Sequence, residues 1–460
     1  MSLLSELQKF SDTTLPMHMP GGKRRFSSAL PYQWDVTDMA ATDDLYHPSG
    51  MLKDLQDRIA ELWKAECSFA LVNGSTGGIL AAVRATGDGD LLAARNAHRS
   101  FYHAAELCRR NLFFVCPAPA DGLCGSVTPE QIRSGLEEHP SVTTVFLTSP
   151  TYEGVVSDIR SIARICREKQ VTLIVDEAHG AHFGFSPLFP ESAVTCGADI
   201  VVQSLHKTLP ALTQTAVLHC RKPFADAVSR ELAVFQTSSP SFLLLASADE
   251  CVRFIREEDP FPAYERRLTD LRGALGGLKA IRLLTGESFF GYDPGKIVLF
   301  PRPPFTGPYC ADFLRADGRI ELEMTAPGFF LAMTSVCDTD ELYGRFCRSV
   351  ARLDERISLE PDVRSSPLPV SCPLPEKVFE PFAARGKKAN ICSLSQSAGR
   401  VSADTVWSYP PGIPLLLPGE RIPEDFPSLV RSHLQSGVPL YASSRGLLAG
   451  PDDAIRILDV

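Results

Sequence analysis

The stretch from Thr172 to His182, TLIVDEAHGAH, decides the fold class of this chain. Its apolar run, TLIV, predicts a short strand that is buried on both faces of a sheet. Strands of this kind belong to mostly parallel sheets covered by helices, and such sheets bind ligands at the carboxyl ends of their strands. The charged and histidine residues that follow the strand, beginning with Asp176, are therefore predicted to lie at a binding site.

Short apolar runs of the same kind recur on both sides of this stretch. The predicted strands are Phe69–Val72, Leu91–Ala94, Leu112–Val115, Thr144–Leu147, Thr172–Val175, Ile200–Val202 and Ala216–His219. Helical periodicity is clear in Met51–Lys64, Ile159–Lys169 and Ala263–Leu278. Strands that alternate with helices predict an α/β fold with a large, mostly parallel sheet.

The chain divides into four predicted parts. An irregular N-terminal segment, 1–50, precedes a large domain, 51–284, and a smaller α+β domain, 285–360. The last part, 361–460, begins with a proline-dense stretch that is typical of a linker and then regains apolar residues. We expect this last part to be ordered.

The composition excludes several classes of protein. Of the 460 residues, 44% are hydrophobic and 22% are charged, which is typical of a globular chain rather than a disordered one. A net charge of −9, without blocks of like charge, argues against nucleic-acid and membrane partners. The N-terminus has no signal pattern, so we expect a cytoplasmic protein. The thirteen cysteines have no C-x-x-C spacing and so predict neither a disulfide framework nor a cysteine-based zinc site, and the histidines form no H-E-x-x-H metal motif.

Two polar clusters follow strands in the first half of the large domain. Asn73–Gly78, NGSTGG, lies between a strand and a helix that is predicted to start near Ile79. Its backbone N–H groups and the hydroxyls of Ser75 and Thr76 can cradle a phosphate, and the alternative is a glycine-rich turn with a helix cap. The second cluster, RNAHRS, contains His98, which could stack on a flat cofactor, move protons, or only begin a helix.

Two further clusters follow later strands. Asp176 at the end of a buried strand is costly unless a cation pairs with it, and a protonated ring nitrogen would do so. The alternatives are a helix cap, a structural salt bridge, or a metal site formed with His179 and His182. Lys207, in SLHKT, follows another buried strand, where partial burial would lower its pKa and make its amine nucleophilic. The alternative is a lysine on a solvated rim.

Together the four clusters point to one cofactor. Pyridoxal phosphate needs a lysine for its Schiff base, a carboxylate at the pyridinium nitrogen, a phosphate cradle and a group packed on its ring. The chain supplies the cradle, the histidine, the aspartate and the lysine in that order. This arrangement resembles that of the aspartate-aminotransferase-like superfamily of pyridoxal-phosphate enzymes.

A closer resemblance is to the ornithine/lysine/arginine decarboxylase family of fold type I. It rests on five stretches of the large domain: LVNGSTGGILA, RNAHRSFYHA, SPTYEGVVSDI, VDEAHGAHFGF and SLHKTLPALTQTAVLH. It also rests on GRVSADTVWSYPPGIPLLLPGE, residues 399–420, because general aminotransferases lack this stretch. The resemblance covers nearly the whole chain and implies the short bacterial branch, without an extra N-terminal wing domain.

The resemblance implies a role for each matching residue. Lys207 matches the Schiff-base lysine, Asp176 matches the partner of the pyridinium nitrogen, and His98 matches the histidine stacked on the ring. His179 is placed on the O3′ or substrate-carboxylate side, and residues 151–153 line the site. The matching phosphate ligands are Gly74, Ser75, Thr76, Ser204 and His206, together with Ser239, which a neighbouring subunit of a homodimer donates.

The implied reaction is the decarboxylation of a basic amino acid, and polyamine synthesis and acid resistance are both open as its purpose. Arginine is favoured over lysine and ornithine, because the short branch contains arginine decarboxylases. A basic substrate needs a carboxylate to bind its distal cation, and each candidate could instead be solvated. The candidates are Glu323, Asp35, Asp38, Asp43 and Asp44.

One departure from the family leaves the substrate open. Gly22, in PGGK, stands where the family often has histidine. The alternatives to a decarboxylase are an aminotransferase or another lyase on the same fold, and a non-catalytic regulatory homologue.

Overall fold

The structure is a computed structural model that describes residues 13, 15–17, 36, 38, 42–361, 374–410, 412–450 and 453–460. Its helices are α1 Met51–Trp63, α2 Gly74–Ala85, α3 Arg99–Leu107, α4 Pro129–Glu138, α5 Ile159–Glu168, α6 Ala193–Cys196, α7 Leu205–Thr208, α8 Ala225–Phe235, α9 Phe242–Glu258, α10 Phe261–Leu275, α11 Gly307–Gly318, α12 Asp340–Ser358, α13 Pro381–Ala384 and α14 Phe426–Gln435. Among the described residues, no helix has the length and apolar character needed to cross a membrane.

The strands are numbered along the chain in the same way. They are β1 Leu15–Met17, β2 Cys67–Leu71, β3 Asp90–Ala94, β4 Leu112–Val115, β5 Pro119–Ala120, β6 Leu123–Cys124, β7 Val142–Thr148, β8 Val155–Val156, β9 Thr172–Asp176, β10 Ile200–Ser204, β11 Ala216–Cys220, β12 Ile281–Leu283, β13 Gly291–Tyr292, β14 Lys296–Pro301, β15 Ile320–Leu322, β16 Met324–Ala326, β17 Phe329–Met333, β18 Ala389–Ser393, β19 Val406–Ser408, β20 Pro414–Leu416, β21 Leu440–Ala442, β22 Gly446–Leu448 and β23 Ala454–Leu458.

The central sheet has seven strands in the order β2-β11-β10-β9-β7-β3-β4. The strands from β10 to β4 pair in parallel, and β11 runs antiparallel to both of its neighbours. The predicted strands and the mostly parallel sheet are thus confirmed. Asp176 pairs in register with Thr148 on one side and with Val202 on the other, so the polar clusters converge at the carboxyl edge.

The prediction that a helix starts near Ile79 is wrong, because α2 already begins at Gly74. Gly74 has a φ of +67°, a conformation that lets the chain turn from β2 directly into a helix. A Cβ built on Gly78 would lie 2.6 Å from Leu71 Cδ1 and 2.9 Å from Val202 Cγ1. The glycines therefore form the first turn of a helix that packs tightly on the sheet, and not a loop in front of it.

A second, antiparallel sheet has the order β12-β14-β17-β16, and α11 and α12 accompany it. The predicted helix Ala263–Leu278 is observed as α10, which leads into this sheet. One apolar core runs from Leu52 of α1 through Leu268 of α10 to Ile297 and Phe346. The two sheets are therefore held together by shared packing, while the predicted domain bounds stay a prediction.

The C-terminal region has a core of its own. Its buried side chains include Val406, Phe426, Leu440 and Ile457, and its main sheet has the order β20-β19-β21-β22. The prediction that this Pro/Gly-rich part is ordered is confirmed over its described residues. Residues 362–373, which hold most of the predicted linker, lie outside the described residues.

A buried ion pair joins this region to the large domain. Arg95 Nη2 lies 3.2 Å from Glu420 Oε2, and the two side chains are only 1% and 3% exposed. Arg95 Nη1 also donates to the carbonyl of Pro414 at 2.7 Å, and Leu417 N donates to Glu420 at 2.7 Å. Breaking a buried pair leaves an uncompensated charge in the interior, so this contact couples the two regions.

We expect Glu420→Ala to lower the free energy of unfolding by about 3–5 kcal/mol, because it strands the buried Arg95 guanidinium. Urea denaturation followed by tryptophan fluorescence measures this change. Glu376→Ala is the matched control, since Glu376 pairs with Arg421 at 2.7 Å on an exposed surface, where ion pairs contribute little. Equal effects of the two substitutions would contradict the coupling.

A polar network crosses the central sheet beneath its carboxyl edge. Glu177 is buried and accepts from Ser192 Oγ at 2.7 Å and from Gln203 Nε2 at 2.6 Å. Gln203 Oε1 lies 3.1 Å from His219 Nε2, and His219 Nδ1 lies 2.8 Å from Ser68 Oγ. Burial raises the pKa of Glu177 to about 7 and lowers the pKa of His219 to about 3. His219 is therefore neutral in the folded protein.

The free energy of unfolding should fall as the pH falls from 6.5 towards 3, because unfolded His219 binds a proton there and folded His219 does not. This one histidine contributes about 1.4 kcal/mol per pH unit at most. In His219→Gln the pH dependence should be shallower, as measured by denaturation between pH 6.5 and 5. Ser68→Ala, which keeps the histidine, should retain the wild-type slope; an unchanged slope in His219→Gln would refute this account.

Candidate active site at the carboxyl edge of the sheet

Asp176, the last residue of β9, is 3% exposed. Its Oδ1 accepts one hydrogen bond, from the N–H of Ala178 at 3.1 Å. Burial raises its pKa, and the charge of Lys207 opposes that shift. A buried carboxylate of this kind favours a cationic partner, which fits a protonated ring nitrogen.

His179 lies between two lysines. Its Nε2 is 3.1 Å from Lys207 Nζ, and its Nδ1 is 2.7 Å from Lys296 Nζ. Burial, followed by the charges of the two lysines, holds the pKa of His179 well below its usual value, so the imidazole is neutral. The ring of Tyr152 lies 4.5 Å from the histidine ring, and the Tyr152 hydroxyl donates to Glu323 Oε1.

Lys207 lies in α7, the short helical turn that follows β10. Burial lowers its pKa, whereas the carboxylates of Asp176 and Glu323 raise it. Lys207 is half-buried, as the sequence predicts, and burial favours the uncharged form of its amine. Lys207, Asp176 and His179 therefore lie close together, although they come from two different strand ends.

His98 caps the N-terminus of α3, and its Nδ1 accepts from the N–H of Ser100 at 3.2 Å. Burial, with a smaller effect of the Lys207 charge, lowers its pKa to about 3. Gly412 has a φ of +86°, and a Cβ built there would lie 3.1 Å from His98 Nε2. The N–H of Arg99 donates to the carbonyl of Gly412 at 3.1 Å. The C-terminal stretch singled out in the sequence therefore packs against His98.

The residues predicted to bind phosphate come together through one short loop. The N–H of Gly74 donates to the carbonyl of Gln214 at 2.9 Å, and His206 Nδ1 lies 2.9 Å from the carbonyl oxygen of Thr215. Ser204 is fully buried. The loop thus holds the start of α2, with its half-buried Ser75 and exposed Thr76, beside α7.

These residues fit pyridoxal phosphate, the cofactor that the sequence resemblance implies. Among the described residues, the buried hydroxyls of Ser204 and Thr208 have no hydrogen-bond partner. Buried hydroxyls require partners, and the oxygens of an anion satisfy them. Asp176 supplies the complementary charge for a pyridinium nitrogen, and Lys207 supplies an amine for an aldehyde.

Ser239 lies apart from this cluster. It is exposed in the loop after α8, and its N–H donates to Thr237 Oγ1 at 3.2 Å. Gln236, in the same loop, accepts from the N–H of Val72 at 2.8 Å, so the loop adjoins the end of β2. The role of Ser239 in a neighbouring subunit stays a prediction.

Of the predicted carboxylates for the distal cation, Glu323 is the one among the described residues whose charge raises the pKa of Lys207. Asp43 accepts from the N–H groups of Gly50 at 2.8 Å and Leu52 at 3.0 Å and so caps α1. Asp44 accepts from the N–H of Tyr46 at 2.8 Å. Burial raises the pKa of Asp38, and the neighbouring groups that act on it, Asp43, Asp44 and Leu45, belong to the same turn. Asp35 and Gly22 lie outside the described residues.

Sequence reasoning missed Lys296 and the role of Asp293. Asp293 Oδ1 lies 3.2 Å from His182 Nε2, and both side chains are buried. Within the described part of the chain, no three His, Cys, Asp or Glu side chains are arranged to hold a metal ion. His179 contacts Lys296, the first residue of β14, and His182 contacts Asp293 in the loop before that strand. These residues are more than 100 positions apart in the sequence, so no local pattern predicts their contacts.

Comparison with known proteins relates the whole chain to one family. Residues 26–264 match the major domain of the Orn/Lys/Arg decarboxylases, and residues 365–434 match their C-terminal domain. The chain is 30% identical to an arginine decarboxylase of Bacillus subtilis, across 95% of this chain and 92% of the relative. It is 29% identical to an arginine decarboxylase of Halalkalibacterium halodurans, across 96% of this chain and 94% of the relative.

Among solved structures, a lysine decarboxylase of Francisella novicida superposes with a TM-score of 0.75 at 18% identity, covering 90% of this chain and 73% of that chain. This likeness confirms the predicted α/β fold class of fold type I pyridoxal-phosphate enzymes. The sequence matches confirm the resemblance that the motifs predict. The chain belongs to the Orn/Lys/Arg decarboxylase family, whose cofactor is pyridoxal phosphate.

Proposed function

We propose that this chain removes the α-carboxylate of L-arginine as CO2 and releases the corresponding amine, with pyridoxal phosphate bound at the carboxyl edge of the central sheet. The observation that carries the proposal is the meeting of three groups at that edge. Lys207 Nζ lies 3.1 Å from His179 Nε2, and the charges of Lys207 and Asp176 act on each other. A buried carboxylate beside a half-buried lysine favours a catalyst over a regulatory homologue.

Two observations support a basic substrate and favour arginine. The relatives that match nearly the whole chain, and nearly all of their own length, are named arginine decarboxylases. Glu323 is 8% exposed and lies beside Lys207, which places a carboxylate next to the amine that the substrate must approach. A buried carboxylate is a suitable partner for the guanidinium group of arginine, with which it forms charge-assisted hydrogen bonds.

Each side chain at the edge has a proposed task in the reaction. When bound, pyridoxal phosphate supplies an electron-withdrawing ring that accepts the electron pair left behind by CO2. With the cofactor bound, Asp176 would hold the proton on the ring nitrogen, and His98 would pack on the ring face. Gly412, which contacts His98, helps to exclude water from the site.

The reaction consumes one proton, because a hydrogen replaces the carboxylate on Cα. We assign the delivery of this proton to Lys207, with His179 as its neighbour in the proton path. The neutral imidazole of His179 can accept a proton at one nitrogen and donate from the other, which suits this task.

The proposal includes an assembly and a setting. Gly74, Ser75, Thr76, Ser204 and His206 bind the cofactor phosphate, and Ser239 of a neighbouring subunit completes the cradle in a homodimer. The half-exposed start of α2 leaves room for such a contribution. We place the enzyme in the cytoplasm and its product in polyamine synthesis.

Purified protein with added pyridoxal phosphate should release CO2 and amine from arginine, and more slowly or not at all from lysine and ornithine. In Lys207→Ala the release should fall by at least about 10⁴-fold, because loss of a covalent catalytic group has effects of this order. Absence of turnover with every basic amino acid would contradict the proposed reaction. Release of a keto acid instead of CO2 would identify an aminotransferase.

For Glu323→Gln, we expect kcat/KM for arginine to fall about 10- to 100-fold, since a hydrogen bond between charged groups contributes about 1.5–3 kcal/mol. Steady-state kinetics measure this change. Glu321→Gln is the matched control, because Glu321 lies in β15, two residues before Glu323, and pairs with Arg315 at 2.6 Å, away from Lys207. Equal kinetics in Glu323→Gln and wild type would remove Glu323 from substrate recognition.

A further inference from the structure

Lys296 is a buried lysine that none of the sequence motifs contains. It is the first residue of β14 and is only 1% exposed. Its Nζ lies 2.7 Å from His179 Nδ1, and within the described part of the chain it forms no ion pair with a carboxylate. An ammonium group is rarely buried without such a partner, so the position needs a reason.

The surrounding backbone is shaped to hold this side chain. Gly154 has a φ of +104°, and a Cβ built there would lie 2.7 Å from Lys296 Cγ. The N–H of Asp293 donates to the carbonyl of Gly154 at 2.8 Å, and the N–H of Lys296 donates to the carbonyl of Asp293 at 3.1 Å. The stem of Lys296 therefore passes through a gap that only glycine leaves open, and its amine reaches the site from the second sheet.

The contacts of His179 restrict where the protons can be. If Lys296 donates to Nδ1, the proton of the neutral imidazole is on Nε2 and faces the Lys207 amine. In that arrangement Lys207 accepts a hydrogen bond and carries no positive charge. Two ammonium groups on one neutral ring would repel each other in a buried site, so one positive charge is shared between the two lysines.

We propose that Lys296 is a positioning residue that, through His179, keeps the Lys207 amine unprotonated and ready to bond the cofactor aldehyde. The amine nitrogen would then attack the aldehyde carbon, and the aldehyde oxygen would leave as water with the two amine protons. The proposal rests on the proposed role of Lys207.

Other charged groups also act on Lys296, and they remain in place when Lys296 is substituted. These are the carboxylates of Asp293, Glu323 and Glu153, with the ammonium of Lys207. The Tyr152 ring lies 5.8 Å from Lys296 Nζ. Burial lowers the pKa of Lys296 to about 8, with Asp293 and Glu323 opposing, so the residue can gain or lose its proton near neutral pH.

The test compares the apoprotein of wild type with that of Lys296→Met. Competitive acetylation with mass spectrometry measures the pKa of the Lys207 amine, and stopped-flow absorbance measures how fast added pyridoxal phosphate is captured. Without the Lys296 charge, we expect the pKa of Lys207 to rise by about one unit and capture at pH 7 to slow about tenfold. The capture rates of wild type and Lys296→Met should converge at high pH, where the Lys207 amine is unprotonated in both proteins.

Further variants make the test specific. Lys296→Arg keeps the charge and should restore a low pKa at Lys207, and Lys296→Gln replaces the methionine variant if that one does not fold. Lys169→Met makes the same change on the surface and should capture the cofactor like wild type. In a His179→Asn background, Lys296→Met should add little, because the effect passes through the histidine.

An unchanged Lys207 pKa in a folded Lys296→Met would overturn the inference, and so would a full effect in the His179→Asn background. If wild-type protein captures no cofactor, or Lys207→Ala captures it as well as wild type does, the proposed role of Lys207 fails instead. The two failures are therefore distinguishable.

Discussion

The structure depends on one constraint: charged groups buried at the carboxyl edge of a parallel sheet must be satisfied by one another or by a ligand. Asp176 follows the buried strand β9, and Lys207 follows the neighbouring strand β10. Neither group is stable there alone, because an isolated charge in an apolar interior is costly. The two groups lie close together, and His179 contacts both Lys207 and Lys296 of the second sheet. This edge therefore has the charges and hydrogen-bonding groups of a binding site.

The same constraint explains why distant parts of the chain are needed. The second sheet contributes Lys296, which contacts His179, and Asp293, which contacts His182. The C-terminal region contributes Gly412, which packs against His98, and Glu420, which neutralises the buried Arg95. The large domain thus contributes Asp176, His179 and Lys207, while the second sheet and the C-terminal region contribute side chains that contact its histidines and its buried Arg95.

Much of the fold could be predicted from local sequence. Buried strands are continuous apolar runs, so β9 and β10 and the polar groups after them were visible in the pattern. The start of α2 was not, because NGSTGG has the composition of a loop, and only close packing of Gly78 on Leu71 and Val202 shows that it is helical. Residue types and chain order were enough to indicate the cofactor.

Contacts between distant segments could not be predicted. Lys296 begins the strand KIVLFP, where a terminal lysine ordinarily marks a solvated end. Its burial follows from the open space at Gly154, a residue on another loop. Glu323 could be named as one of several carboxylates, and only the fold separates it from Asp43, which caps α1.

The most direct test of the account is the identity of the lysine that bonds the cofactor. Two lysines, the half-buried Lys207 and the buried Lys296, lie within hydrogen-bond distance of His179, so the experiment distinguishes between two specific candidates. The protein would be loaded with pyridoxal phosphate, reduced with borohydride, digested and analysed by mass spectrometry. The account predicts the phosphopyridoxyl group on Lys207, and its appearance on Lys296 would contradict the assignment of the site.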